Sequence, residues 1–280
     1  MSELADVAPD ATPLLRISGL AVDYRVRRGV VAAVRDVDLE LRAGETLALV
    51  GESGSGKSTT AHAVAGLLPD SALITAGQIR FDGTDLVRLG ERSRRALRGV
   101  DIGLIPQDPT VSLNPVQRIG DQIAEVFTIH GIADRRAAKA LARDALVAAG
   151  LDADRADQYP HELSGGMRQR VLIAIAVAAR PRLVIADEPT SALDVTVQRR
   201  ILDHIDALTA ESGAAVLLIT HDLGIAAERA DRIAVMSNGV VVEHGATERV
   251  FHHPEHPYTG ELLASIPRPR TTVHATSGAL

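Results

Sequence analysis

Cysteine and tryptophan are both missing from this sequence of 280 residues, and aromatic residues make up only 2% of it. The lack of cysteine excludes disulfides, cysteine-ligated zinc and iron–sulfur clusters. A net charge of −6 and the lack of a long Lys/Arg run argue against a protein that grips nucleic-acid phosphates. The longest apolar run, 171–179, is too short to span a membrane, and the acidic N-terminus is unlike a secretory signal. Any membrane contact is therefore expected to come through partner chains.

The hydrophobic pattern alternates between strands and helices. Buried strands are predicted at 46–50, 183–186 and 216–220, and helices at 58–68 and 195–212. Asp82-Gly83 and Asn238-Gly239 predict two tight hairpins. From about 117 to 150 the period becomes helical, which indicates a separate helical subdomain. The fold class predicted is α/β, with a mostly parallel sheet covered on both faces.

A glycine-rich segment follows the first buried strand and precedes a helix. Residues 51–58 fit the pattern G-x-x-x-x-G-K-[ST], and Lys57 is one of only two lysines among 30 basic residues. Backbone N–H groups in such a loop surround phosphates, and the helix N-terminus adds positive potential. A glycine-rich turn with a solvent-facing lysine is the alternative, and the strand–loop–helix context argues against it. The predicted nucleotide-binding residues are Gly51, Glu52, Ser53, Gly54, Ser55, Gly56, Lys57, Ser58 and Thr59.

Two carboxylates follow the buried strand at 183–186. Asp187 and Glu188 stand at the carboxyl end of that strand, where open α/β sheets bind ligands. Asp187 is predicted to hold Mg²⁺ together with the Ser58 hydroxyl, and Glu188 to act as general base toward water. The alternative, a pair of surface acids in an ordinary loop, fits poorly with four buried residues immediately before them.

The segment Leu163–Arg170, with Ser-Gly-Gly at 164–166, resembles the signature sequence of ABC ATPases. Other motifs of that family occur in order around it, and the resemblance covers about residues 14–268. It implies that Gln107 belongs to the Q-loop, as a catalytic residue and magnesium ligand, and that His221 is the catalytic switch histidine. It also implies that Asp194 belongs to the D-loop and that Tyr24 stacks on adenine, although simple packing is an alternative for Tyr24.

The signature has its own physical logic. Ser164 can cap a helix, and Gly165 and Gly166 leave the first N–H groups accessible, which creates a second anion site on the same subunit. In the family each signature meets the nucleotide held by a second ATPase subunit. The resemblance therefore implies ATP, Mg²⁺ and a homo- or heterodimer of ATPase subunits.

Four segments resemble the peptide and nickel importer branch of the family: 107–115, 159–170, 194–198 and 256–258. The expected substrate is a dipeptide or oligopeptide, with nickel as the alternative. The histidines at 252, 253 and 256 suggest a metal site, but an exposed His/Pro tail is the more ordinary explanation.

A non-transport ABC ATPase, such as a DNA-repair protein, is the other class that shares these motifs. Those proteins usually insert coiled coils or zinc modules between the nucleotide motifs, whereas Lys57 and Asp187 are 130 positions apart here (187 − 57). Transport is therefore favoured, by a peripheral protein on the cytoplasmic face of the cell membrane. The expected partners are two permeases and, indirectly, an extracytoplasmic binding protein.

The predicted organisation is a single ABC ATPase domain at 14–268. An N-terminal antiparallel β portion opens this domain, and a helical subdomain occupies about 108–165. Loose tails are predicted at 1–13 and 269–280.

Overall fold

The computed structural model describes residues 12–191 and 193–265. Most of the predicted N-terminal tail, the end of the predicted domain and the predicted C-terminal tail lie outside those residues. The strands are β1 (Leu15–Val26), β2 (Gly29–Leu41), β3 (Thr46–Val50), β4 (Ala72–Phe81), β5 (Thr84–Asp85), β6 (Ile102–Ile105), β7 (Leu183–Asp187), β8 (Ala215–Thr220), β9 (Arg232–Ser237) and β10 (Val240–Ala246). The helices are α1 (Lys57–Ala65), α2 (Glu91–Leu97), α3 (Pro109–Ser112), α4 (Ile119–Ile129), α5 (Arg135–Ala148), α6 (Gly165–Val177), α7 (Val195–Ser212), α8 (Leu223–Arg229), α9 (Thr247–His252) and α10 (Pro257–Ala264).

Two sheets form within the described residues. The larger has the order β10-β9-β3-β8-β7-β6, parallel from β9 to β6 with β10 antiparallel at one edge. The smaller is antiparallel, with the order β2-β1-β4-β5. Strands β7 and β8 are buried along their whole length, as expected of parallel strands covered on both faces. The predicted fold class is confirmed.

A separate hydrophobic core holds the helical subdomain together. It is formed by α4, α5 and α6, with Phe127, Leu146 and Val171 among its buried side chains. The helical pattern at 117–150 is divided into two helices. Gly131 has a φ of 66°, and Asp134 caps α5 by accepting hydrogen bonds from the N–H groups of Arg136 and Ala137. The turn lets α5 fold back on α4 and bury both apolar faces.

Both predicted hairpins are present. Asp82 and Gly83 join β4 to β5 with φ values of 49° and 79°, and Asn238 and Gly239 join β9 to β10 with 48° and 84°. Positive φ at both central residues is the requirement of the turn that matches the twist of antiparallel strands. The local sequence therefore determines these two connections.

Candidate nucleotide-binding and catalytic site

The carboxyl ends of the parallel strands bring four groups of predicted site residues to one edge of the larger sheet. The phosphate loop, residues 51–56, follows β3, and the carboxylates Asp187 and Glu188 come at the end of β7. Gln107 comes two residues after β6, and His221 follows β8 directly. Together the phosphate loop, Gln107, Glu188 and His221 line one cleft.

Lys57 follows the phosphate loop as the first residue of α1 and is buried, with 4% of its surface exposed. Its Nζ donates hydrogen bonds to the carbonyl oxygens of Gly51 and Glu52, each over 2.8 Å. Burial lowers the pKa of Lys57, and the nearby Glu188 and Asp187 oppose that shift. No side chain caps the N-terminus of α1, so its first turn is open to an anion. The loop thus presents a cation and a helix N-terminus to the cleft.

Ser58, which lines the cleft, contacts the buried carboxylate of Asp187. The Ser58 hydroxyl donates to Asp187 Oδ1 over 2.9 Å, and His62 Nε2 lies 3.8 Å from Oδ2. Burial raises the pKa of Asp187, although the Ser58 hydrogen bond works in the opposite direction. A hydroxyl and a carboxylate are the hard oxygen donors that Mg²⁺ takes from proteins, with phosphate and water filling its other positions. The donor set therefore fits Mg²⁺.

Glu188 is the point where the three predicted catalytic residues converge. Its Oε2 accepts a hydrogen bond from Gln107 Nε2 over 3.1 Å, and its Oε1 lies 3.2 Å from His221 Nδ1. Glu188 has a φ of 45°, a conformation that is costly for a residue with a long side chain. Its N–H donates to the carbonyl of Ile219 in β8, which helps to hold this backbone in place.

Tyr24 lies beside the same cleft, at the far end of β1. Its hydroxyl is 3.4 Å from the Thr59 hydroxyl, at the start of α1. Three further residues at the cleft have no counterpart in the sequence-based site: Ala33 and Leu262 line it, and the Tyr258 hydroxyl accepts a hydrogen bond from the Glu52 N–H. The His-Pro-Tyr segment marks a branch of the family in the sequence, but nothing local indicates that it reaches the phosphate loop.

The signature residues lie apart from the phosphate cleft. Ser164 caps α6 by accepting a hydrogen bond from the Met167 N–H, and Gly165 lines a second groove with Gln107 and Ser191. Asp194 caps α7 by accepting from the N–H groups of Thr196 and Val197. Among the described residues, Ser164, Gly165, Gly166 and Asp194 do not line the phosphate cleft. The signature residues therefore lie on a surface separate from the phosphate cleft of the same subunit.

Comparison with known protein families accounts for most of the chain. Residues 34–191 match the model described as ABC transporter. The chain belongs to the ABC transporter family. A second model, described as the C-terminal region of oligopeptide/dipeptide transporters, matches residues 242–278 of this ABC protein.

Similar proteins extend the match. The oligopeptide transport ATP-binding protein OppD of Bacillus subtilis (strain 168) is 48% identical, covering 91% of this chain and 72% of its own length. The dipeptide transport ATP-binding protein DppD of the same organism is 45% identical, and the match covers 91% of this chain and 77% of DppD. Among solved structures, the dimeric ATP-binding cassette MJ0796 bound to ADP and Pi is 27% identical, with a TM-score of 0.75, covering 83% of this chain and 98% of that one. The prediction of an ABC-type ATPase subunit is confirmed.

Proposed function

We propose that this ABC ATPase hydrolyses ATP to drive the import of short peptides. The observation that supports the substrate class is the match of residues 242–278 to the oligopeptide/dipeptide transporter C-terminal region. The names of the similar OppD and DppD proteins point the same way. Nickel, the alternative that the sequence leaves open, has no comparable support among these similarities.

Binding of ATP begins at the phosphate loop. Lys57 exchanges its two backbone carbonyl partners for phosphate oxygens, while the first turn of α1 supplies N–H groups. Ser58 and Asp187 would hold Mg²⁺, which when bound would supply positive charge to the phosphates. Tyr24, whose hydroxyl lies beside Thr59, offers an aromatic face for the adenine.

Hydrolysis is assigned to the group around Glu188. A water between Glu188 and the γ-phosphorus attacks that phosphorus, and the bond to the departing ADP oxygen breaks. Glu188 accepts the proton released by the water, and Gln107 and His221 hold its carboxylate in position. A positioned general base of this kind contributes about a hundredfold or more to the rate.

The reaction requires a second ATPase subunit. Ser164 and Gly165 lie at an exposed helix N-terminus outside the phosphate cleft, so the signature of one subunit can complete the nucleotide site of another. The dimeric MJ0796 structure supports this arrangement. ATP then holds the two subunits together, and its hydrolysis releases them.

The membrane partners are proposed to dock next to the Q-loop. Val111 and Val116, with 80% and 83% of their surfaces exposed, lie a few residues after Gln107. No helix in the described part of the chain is both long and apolar enough to cross a membrane. The proposal is therefore a peripheral subunit on the cytoplasmic face that binds two permeases, which receive the peptide from an extracytoplasmic binding protein.

The test is uptake of a radiolabelled dipeptide and of radiolabelled nickel into vesicles that carry only this transport system. Glu188→Gln should bind ATP but lose hydrolysis by about a hundredfold or more, and peptide uptake with it. Glu248→Gln, a change of the same size at an exposed glutamate of α9, should leave both intact. ATP-dependent nickel accumulation without peptide uptake would overturn the proposal that peptides are the substrate. A wild-type rate of ATP hydrolysis in Glu188→Gln would overturn the assignment of Glu188 as the general base.

A further inference from the structure

The backbone of Glu52, inside the phosphate loop, is held from two directions. Its carbonyl oxygen accepts hydrogen bonds from Lys57 Nζ over 2.8 Å and from the Ser55 N–H over 3.2 Å. Its N–H donates over 3.2 Å to the hydroxyl of Tyr258, which is 206 positions further along the chain. The carbonyl group of Glu52 is therefore tied to the loop itself, and its N–H group to helix α10.

The start of α10 is anchored to the edge of the larger sheet. Glu243 on β10 accepts hydrogen bonds from the N–H groups of Glu255 and His256, over 2.8 and 3.0 Å. Burial disfavours the charged carboxylate, but these hydrogen bonds outweigh it and hold the pKa of Glu243 below its ordinary value. His256 Nδ1 accepts from the Tyr258 N–H and so caps the helix. The position of Tyr258 is thus fixed from the sheet through an ionised carboxylate.

The apolar side chains of α10 pack on the strand and helix next to the nucleotide cleft, β3 and α8. Tyr258, Leu262 and Leu263 contact a buried cluster that includes Val50, the last residue before the phosphate loop, and Leu223, the first residue of α8 after the switch region. Leu262 also lines the nucleotide cleft. The helix therefore contacts the phosphate loop and packs on a cluster to which the segment after His221 also contributes.

We propose that Tyr258 is a positioning residue for ATP binding, and that α10 braces the phosphate loop in its binding conformation. The hydroxyl fixes the Glu52 N–H group, so the backbone of the loop is already held before nucleotide arrives, and less ordering is required on binding. This gives the segment matched to the peptide-transporter C-terminal region a role in nucleotide binding. The inference depends on the ATPase site alone and is independent of the transported substrate.

Tyr258→Phe isolates the contribution of the hydroxyl. It removes one oxygen and keeps the ring that packs on the cluster. We expect the affinity for the fluorescent nucleotide MANT-ATP and the KM for ATP to weaken by about two- to tenfold, the scale of one neutral hydrogen bond. The kcat should stay within about twofold, because the general-base chemistry is assigned to Glu188 rather than to Tyr258. Tyr159→Phe, the same change in the segment before the signature, should leave both quantities unchanged.

Two further variants separate bracing from simple packing. Glu243→Ala should release the start of α10 and weaken MANT-ATP binding to a similar degree. Combined with Tyr258→Phe it should add little, because both changes break one connection. Unchanged nucleotide affinity in Tyr258→Phe, with a loss only in Tyr258→Leu, would reduce the residue to packing and overturn the proposal. Full additivity of the two changes would overturn the connection through Glu243.

Discussion

Substitution of Gly51 by alanine tests whether the phosphate loop tolerates any side chain at its first position. Gly51 has a φ of 150°, and a Cβ placed on it would lie 2.1 Å from the carbonyl oxygen of Met236. That oxygen belongs to β9, which pairs with β3 in the parallel sheet. The neighbour is therefore backbone in a hydrogen-bonded strand, rather than the end of a flexible side chain.

The expected cost has two parts. An unfavourable backbone conformation costs about 1–2 kcal/mol in a non-glycine residue. Overpacking against an immobile neighbour adds about 1–3 kcal/mol, because a close-packed interior does not absorb the shift of about 1 Å that is required. The total of about 2–5 kcal/mol corresponds to a fall in Tm of about 5–15 °C for a protein of this size.

Gly54 provides a matched control within the same loop. It has a φ of 80°, but a Cβ there would meet nothing within 4 Å. Gly54→Ala should therefore cost only the backbone part, about 1–2 kcal/mol. Thermal unfolding of both variants without nucleotide measures the difference. Equal falls in Tm would show that the contact with Met236 does not constrain the loop, and would refute the reasoning.

Three further outcomes are expected. Ser164→Arg should leave MANT-ATP binding by the isolated subunit unchanged and abolish ATP-driven dimerisation of a Glu188→Gln background in light scattering; stable dimers would contradict the two-subunit site. Burial holds the pKa of Asp187 above its ordinary value of 3.8 in the folded protein. The free energy of unfolding of the nucleotide-free protein, compared with that of Asp187→Asn, should therefore fall as the pH rises through that raised pKa. Urea melts across that range measure the difference between the two proteins, and a difference that does not change with pH would refute the raised pKa. Val111→Cys, in a chain without cysteine, should cross-link to cytoplasmic permease loops, whereas Val31→Cys on the antiparallel sheet should not; the reverse would relocate the interface.

The local sequence determined those features that are stabilised by a few neighbouring residues. Asp-Gly and Asn-Gly set the two hairpins, because these residues adopt positive φ readily at both central positions. Helix α7, predicted at 195–212, spans those residues and ends at Gly213 with a φ of 66°. The strand–loop–helix context of Lys57 was equally local, and the structure has that order in β3, residues 51–56 and α1.

Tertiary structure decided every contact between residues distant in the chain. The Ser58–Asp187 hydrogen bond joins residues 129 positions apart, and Gln107 meets Glu188 across 81 positions. That these side chains lie close together could be predicted, because parallel strands end at one edge of the sheet. Which side chains form hydrogen bonds with each other could not be predicted. The positive φ of Glu188 is stabilised by β8 rather than favoured by its own sequence. The contact of Tyr258 with the phosphate loop was hidden for the same reason: it depends on Glu243 and on a core cluster assembled from β3, α8 and α10, and no short segment encodes that packing.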